Sequence, residues 1–122
     1  MHFIKLGDYF AASMITGPKH NLLKIRLAAS ATELLQVHCL PPQGQCKHEP
    51  LDEKAIVAAI QEGVAEANKE LGANYAVSEI AYVQNDTKPE VVYGFMALSI
   101  LRHLHSNGAF IEPPPNMQAL AQ

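Results

Sequence analysis

The sequence predicts a single α+β domain, a two-layer sandwich in which two helices pack on one face of a mixed or antiparallel sheet of about four strands. Three observations favour this class. Residues 23–27 alternate between apolar and polar with the period of a half-buried strand, later segments carry apolar residues at helical spacing, and the 122 residues are 48% hydrophobic. We therefore predict one domain over residues 1–112 and a proline-rich C-terminal tail over residues 113–122.

The first forty residues are predicted to form strands. Residues 2–6 and 9–15 are short apolar stretches, and the intervening Gly7-Asp8 predicts a turn. Residues 22–29 and 33–40 alternate, which predicts a hairpin with one apolar and one polar face. Its expected apolar residues are Leu23, Ile25, Leu27, Leu35, Val37 and Cys39, and its expected polar residues are Lys24, Arg26, Gln36 and His38.

The middle of the chain predicts a helix followed by a central strand. Residues 52–71 carry an apolar residue at every third or fourth position, with Asp52 as the N-cap and Gly72 after the last turn. Residues 75–84 are apolar on both faces, which is typical of a strand inside a sheet. We expect Ile80 and Tyr82 to share one face of this strand, and Val77, Ala81 and Val83 to share the other.

A second helix is predicted over residues 91–104. Thr87 and Glu90 have the spacing of a capping box, in which each side chain bonds to the backbone N–H of the other. A helix that is apolar almost all round is either enclosed in the domain or offers a face to a partner. Residues 109–111 are expected to add a short edge strand. The expected core contains Leu23, Ile25, Leu27, Leu35, Val37, Ile56, Ile60, Val64, Leu71, Phe95 and Leu98.

Composition and charge argue against several classes of function. The formal net charge is −3 and 17% of the residues are charged, so there is no basic excess for a phosphate backbone and we expect no nucleic-acid partner. No segment approaches about eighteen consecutive apolar residues and no secretory leader is visible, so we expect no membrane partner and a cytoplasmic location. In that reducing compartment the two cysteines are expected to be thiols or metal ligands.

The segment VHCLPPQGQCKH, residues 37–48, contains both cysteines and two of the six histidines. Zinc binds thiolate and imidazole groups, so Cys39, Cys46 and His48 form a candidate metal site. The spacing lacks the paired C-x2-C that is typical of zinc sites, and the adjacent residues His38 and Cys39 would point to opposite faces of a strand. We therefore expect no cofactor, with zinc as the alternative. The candidate ligand-binding residues are His20, His38, Cys39, Cys46 and His48.

Three other interpretations of the cysteines are open. In the favoured one, Cys39 is a buried small hydrophobic residue and Cys46 is a loop thiol. In the second, a disulfide joins them across the proline-rich loop. In the third, one of them is a nucleophile whose thiol is activated by His48 and by the N-terminus of the following helix.

The run GVAEANKELGANYAVSEIAYVQNDTKPEVVYGFMALSI, residues 63–100, resembles domain IV of elongation factor G. The resemblance lies in the order helix, strand, loop and helix, in the Gly-Val start, in the Ala/Tyr entry to the strand and in the apolar second helix. It implies a small α+β fold with two helices on one side of a four-stranded sheet, and a role in translation. The run contains no GTP-binding motif and no basic tip loop, so it transfers no functional residue.

The preferred interpretation is a binding or interaction module that acts as a homodimer. Its interface would lie on the outer face of the sheet, where Lys24, Arg26 and Glu79 are candidates, or on the helix at 91–104, which is favoured as the apolar contact. A small enzyme or a ligand-binding or metal-binding domain using the His/Cys cluster at 38–48 is the alternative, and a translation-related module is the second. No catalytic residue is identified, and a non-enzymatic role is favoured.

Overall fold

The fold of the chain is given by a computed structural model that describes residues 1–16, 19–30, 33–41, 51–83 and 89–112. Within these residues two helices pack on a five-stranded mixed sheet, so the predicted α+β class is confirmed with one strand more than expected. In chain order the elements are β1 (His2–Leu6), β2 (Tyr9–Thr16), β3 (Lys19–Leu27), β4 (Gln36–Leu40), α1 (Glu53–Leu71), β5 (Val77–Val83) and α2 (Val92–His105).

The strands are ordered β1-β2-β3-β5-β4, and every neighbouring pair is antiparallel except β4 and β5, which are parallel. The predicted hairpin between residues 22–29 and 33–40 is therefore wrong, because β5 lies between β3 and β4. Alternation along a strand indicates which face is buried but does not identify the neighbouring strand. Strand β5 is apolar on both faces and takes the central place, and α1 provides the long crossover that a parallel pair requires.

The turn between β1 and β2 depends on Gly7. Leu6 pairs with Tyr9, so only Gly7 and Asp8 connect the strands, and Gly7 has a φ of 61°. A positive φ at the first of two turn residues is typical of the type II′ hairpin turn and is accessible to glycine without strain. The two N-terminal strands and their turn are thus located where the sequence predicted them.

The predicted limits of α1 are confirmed at both ends. Asp52 is the N-cap, and its carboxylate accepts hydrogen bonds from the backbone N–H groups of Lys54 at 3.0 Å and Ala55 at 3.4 Å. Gly72 ends the helix in the left-handed conformation, with a φ of 64°. These groups satisfy N–H and C=O groups that would otherwise lack helical partners.

The start of α2 differs from the prediction. The helix begins at Val92 after a turn at residues 89–91, and no side-chain hydrogen bond caps it at Val91. Glu90 Oε2 accepts a hydrogen bond of 2.9 Å from the backbone N–H of Asp52, so this carboxylate joins the entry of α2 to the start of α1. The other member of the expected capping box, Thr87, lies outside the described residues.

Both helices contribute to one core on the same face of the sheet. Six of the eleven residues predicted for the core are buried in it, and Leu27, Leu35, Val37 and Leu71 pack against it while partly exposed. Phe95 is the exception, because its side chain is 51% exposed on the outer side of α2. The buried members include Leu23, Ile25, Ile56, Ile60, Val64, Ile80, Tyr82, Tyr93, Met96, Leu98, Ile100 and Leu101.

A β-bulge at Ser78 places Val77 of β5 on the face of the sheet opposite to the one predicted. Arg26 pairs with Glu79 and Leu27 pairs with Val77, so Ser78 has no opposite residue on β3. Ser78 is 1% exposed, and its hydroxyl donates to the carbonyl oxygen of Arg26 at 3.2 Å. The extra residue brings Val77 to the helix side, where it joins the core with Ile80. The expectation that these two residues lie on opposite faces is therefore wrong.

The C-terminal end of the described chain pairs with β1, which is an edge strand of the sheet. The backbone N–H of Lys5 donates to Ile111 O at 2.8 Å, and the N–H of Ile111 donates to Phe3 O at 2.9 Å. This is an isolated parallel bridge between Ile4 and Ile111, shorter than the strand expected over residues 109–111. His103 of α2 stacks on Phe3 with ring centroids 4.0 Å apart, which holds the two segments together.

Substitution at Ile60 tests the core. Ile60 is completely buried, so Ile60→Ala is expected to lower the free energy of unfolding by about 2–5 kcal/mol. The control is Leu34→Ala, because the Leu34 side chain is 86% exposed and its loss is expected to change stability by less than about 0.5 kcal/mol. Urea denaturation measures both, and similar values for the two variants would contradict the assignment of the core.

The close crossing of the two helices can be tested by whether Gly94→Ala raises or lowers the free energy of unfolding. A Cβ atom on Gly94 would lie 2.5 Å from the carbonyl oxygen of Ala59, and one on Gly63 would overlap the carbonyl of Gly94. Helix propensity alone predicts that Gly94→Ala stabilises α2 by about 1 kcal/mol. Because the opposing atoms are backbone, we instead expect a loss of about 1–3 kcal/mol, measured by chemical denaturation. A gain in stability would show that the helices do not approach so closely.

Candidate functional site

The face of the sheet that points away from both helices, here the distal face, carries two rows of aligned residues. In the first row Ala11, Lys24, Ala81 and His38 follow one another across β2, β3, β5 and β4. In the second row Arg26, Glu79 and Gln36 follow one another across β3, β5 and β4. Residues that pair across strands project from the same face, so the distal face brings ionisable side chains together from separate parts of the chain.

Glu79 is the centre of a polar network on this face. Its Oε2 atom lies 2.9 Å from Arg26 Nε, and its Oε1 atom lies 3.1 Å from His38 Nε2. The Tyr9 hydroxyl donates a third hydrogen bond to the carboxylate. The hydrogen bond from His38 contributes most to holding the pKa of Glu79 below its ordinary value, with Tyr9 and the Arg26 charge adding to it. Glu79 is therefore an ionised acceptor that positions the side chains around it.

The other partners of the network differ in their surroundings. Arg26 also contacts Glu33 Oε2, at 3.8 Å from a terminal guanidinium nitrogen, and its Nε lies 3.4 Å from Ser78 Oγ. Burial raises the pKa of the Tyr9 hydroxyl, and the negative charge of Glu79 raises it further. Tyr9 therefore keeps its proton at neutral pH and serves as a hydrogen-bond donor.

Lys24 is buried on the distal face, with only 3% of its surface exposed. Its two paired neighbours, Ala11 and Ala81, have small side chains, which leaves room for the lysine chain to lie along the sheet. Burial lowers the pKa of the amine because the charged form loses hydration. A buried lysine on a sheet face is uncommon in soluble proteins, which makes Lys24 a candidate functional residue.

A cavity of about 280 Å³ opens beside Lys24. Side chains from β2, β3, β4 and β5 line it, so its shape is set by backbone hydrogen bonds within the sheet. The volume is close to the lower end of the range for small-molecule pockets, about 300–1,000 Å³. The lining residues are Tyr9, Lys24, His38, Leu40, Glu79 and Ala81. This cavity, here the distal cavity, is the candidate functional site.

The residues predicted from the sequence are distributed unevenly around this site. Lys24, His38 and Glu79 line the distal cavity, and Arg26 holds Glu79 from the neighbouring row. His20 pairs with Ile15 in a different part of the sheet. Cys46 and His48 lie outside the described residues, and with them the loop thiol, the disulfide and the complete zinc site.

Cys39 has a different environment from the one expected. It is exposed because β4 is the edge strand, so the interpretation as a buried hydrophobic residue is wrong. The strand continues through Leu40, which places Cys39 and His38 on opposite faces. The Cys39 thiol contacts Tyr82, whose hydroxyl donates to Glu53 Oε1 at 3.0 Å on the helix side. Among the described residues no three His, Cys, Asp or Glu side chains are grouped to hold a metal ion.

Three lining residues were not among the site residues predicted from the sequence: the apolar Leu40 and Ala81, and the polar Tyr9. Tyr9 directly follows the Gly7-Asp8 turn, and the sequence indicated only that residues 9–15 form a strand. Its proximity to Glu79 depends on the order of β2, β3 and β5 in the sheet. Because that order was predicted incorrectly, no pattern in the sequence connected Tyr9 to the other residues of the site.

A second surface of interest lies on the outer side of the helix pair. The close approach of the helices leaves a depression of about 360 Å³, here the outer groove, between α1 and α2. It is lined by six apolar or small residues and two exposed carboxylates: Ala59, Gly63, Val91, Gly94, Phe95 and Leu98, with Glu62 and Glu66. Val91 is 71% exposed and Phe95 is 51% exposed, which is unusual for large apolar side chains on one patch.

Comparison of the chain with models of protein families, with curated proteins and with solved structures found no match. The resemblance of residues 63–100 to domain IV of elongation factor G, and the role in translation that it implies, therefore stay predictions. Neither helix in the described part of the chain has the length and apolar character needed to span a membrane.

The network around Glu79 predicts a pH dependence of stability. The pKa of Glu79 is lower in the folded protein than its ordinary value of 4.5, so its contribution to stability is complete above that value. The contribution is lost as the pH falls through the folded-state pKa. Between about pH 5 and about pH 3, the free energy of unfolding should therefore fall more steeply in the wild type than in Glu79→Gln. Urea denaturation across this range measures both slopes.

The control for this test is Glu62→Gln, at an exposed position of α1. It removes the same charge without touching the distal face, and we expect its slope to follow that of the wild type. Equal slopes for Glu79→Gln and the wild type would show that the network does not stabilise the folded state.

Proposed function

We propose that this protein is a binding module that takes a small molecule into the distal cavity. The observation that carries the proposal is the position of Lys24, which is buried beside a cavity whose wall also contains Tyr9, His38 and Glu79. Small-molecule sites combine an apolar lining with a few polar groups in fixed positions, and Leu40 and Ala81 supply the apolar part here.

The rigidity of the site supports the same proposal. Four neighbouring strands supply the lining, and the Glu79 carboxylate holds His38 through a hydrogen bond of 3.1 Å. Side chains that are fixed before a ligand enters lose little conformational freedom on binding, which favours affinity. An arrangement that served only to stabilise the fold would not need a cavity beside a buried lysine, since well-packed apolar residues of similar volume stabilise at least as well.

A fragment screen with a cavity-filling variant tests the proposal. A fragment counts as bound when it shifts the amide resonances of Lys24, His38 and Ala81 in the wild type. Ala81 is 4% exposed and lines the distal cavity, so the larger side chain of Ala81→Leu is expected to fill the cavity and abolish the binding of these fragments. The control Ala58→Leu adds the same side chain at an exposed position of α1 and should leave binding unchanged. No fragment shifting these resonances, or equal binding by both variants, would contradict the proposal.

We also propose self-association through the outer groove, as a second candidate function. It is favoured by one observation, the exposure of Val91 and Phe95 at a depression that Gly63 and Gly94 also line. A two-fold dimer requires a patch that is complementary to itself. Such a dimer would place the exposed Phe95 ring of each copy in the outer groove of the other.

Sedimentation velocity at micromolar concentration tests the dimer. The wild type is expected to sediment at twice the chain mass of 13.3 kDa, whereas Phe95→Glu is expected to sediment as a monomer, because a charge is costly in an apolar interface. The matched control is Leu34→Glu, which introduces the same charge at an apolar residue that is 86% exposed outside the outer groove. A wild-type monomer, or dissociation of both variants, would contradict a dimer formed through the outer groove.

A further inference from the structure

We infer that Lys24 is the reactive group of the distal cavity and that the ligand is an aldehyde or ketone that forms an imine with its amine. This inference rests on the proposed function, because it names the class of molecule that would occupy the same cavity. It depends on three features of the site: the burial of Lys24, the charges that surround the cavity, and the proton-carrying groups in its wall.

The burial of Lys24 favours a nucleophilic amine. Lys24 is 3% exposed, and its direct neighbours in the row are the methyl side chains of Ala11 and Ala81. Loss of hydration lowers the pKa of its amine, which increases the fraction of the neutral form. The neutral amine carries the lone pair that attacks a carbonyl carbon, and desolvated lysines are the ones that proteins use for imine chemistry.

The charges around the cavity favour a carbonyl compound over an anion. A lysine whose pKa is lowered by burial is a weaker anchor for a negative charge than an exposed one. The ionised Glu79 carboxylate also lines the distal cavity and would repel an anionic ligand. Arg26, which could otherwise bind an anion on this face, directs its Nε at Glu79 over 2.9 Å.

The chemistry of imine formation requires the transfer of protons, and the cavity wall holds groups that can do this. The amine nitrogen of Lys24 forms a bond to the carbonyl carbon, the nitrogen gives up one proton and the carbonyl oxygen takes up one, which yields a neutral carbinolamine. The nitrogen then gives up its second proton, and the hydroxyl group takes up a proton and leaves as water. Amine and carbonyl therefore yield imine and water with no oxidant or reductant. The Tyr9 hydroxyl and the His38 imidazole line the cavity and both contact the Glu79 carboxylate, so these groups can relay protons between the nitrogen and the oxygen.

The size and lining of the cavity select a small, partly apolar carbonyl compound. The volume of about 280 Å³ accommodates a short chain, and Leu40 and Ala81 provide apolar contacts for it. Butanal has an unhindered aldehyde, a short apolar chain and no charge, so it is a suitable probe of both binding and reaction.

Reductive trapping with butanal tests the inference. The full-length protein is incubated with butanal, the imine is reduced with sodium cyanoborohydride, and the butylated lysines are located by peptide mass spectrometry. We expect butylation at Lys24 to exceed that at the exposed Lys54 and Lys69 by at least about tenfold, because a bound aldehyde reacts in an effectively unimolecular step. Butylation spread equally over these lysines would overturn the inference.

Two variants and one parallel measurement complete the design. Lys24→Arg keeps a cation but cannot form an imine, so it should lose this adduct, and Tyr9→Phe should slow its formation. Amide shifts recorded with butanal in the absence of reductant report entry into the cavity. Shifts at cavity residues without a Lys24 adduct would overturn imine formation and leave small-molecule binding standing. The absence of both butanal shifts and any fragment binding would overturn both proposals, and a Lys24 adduct in tenfold excess would support both.

Discussion

The insertion of β5 between β3 and β4 is the constraint on which the rest of the structure depends. It supplies Ile80 and Tyr82 to the core under the helices, and it supplies Glu79 and Ala81 to the distal face. Without β5 between them, β3 and β4 would not be joined by backbone hydrogen bonds through the sheet. Arg26 of β3 and His38 of β4 would then not both contact the Glu79 carboxylate. The same strand therefore determines both the packing of the helices and the geometry of the candidate site.

Local features of the fold could be predicted from the sequence because they depend on nearby residues. The limits of α1 follow from the capping carboxylate of Asp52 and from the left-handed residue Gly72, and the first turn follows from Gly7. The membership of the core was mostly correct for the same reason, since apolar spacing indicates which face of an element is buried. Phe95 was misplaced because α2 is apolar on more sides than the sheet and α1 can cover.

Features that depend on strand order could not be predicted in this way. Lys24, Arg26 and Glu79 were expected on one sheet face, and the structure places them there, but through direct pairing of β3 with β5 and not through a hairpin of β3 with β4. Tyr9 joins them only when β2, β3 and β5 are placed side by side, which no local pattern specifies. The bulge at Ser78 likewise reflects the fit between two strands that are distant in sequence.

The parallel pairing of β4 with β5 has a consequence for synthesis on the ribosome. The first three strands are consecutive in the chain and can pair as an antiparallel meander as soon as Thr16 to Leu27 have emerged. Strand β4 emerges next, but its neighbour in the sheet is not made until α1 and residues 77–83 follow. A nascent chain that ends within α1 therefore leaves one edge of β3 and the whole of β4 without a partner strand, and it lacks the Glu79 carboxylate that joins them. Chaperones that bind exposed strand edges would meet this protein in that interval, before its own C-terminal half closes the sheet.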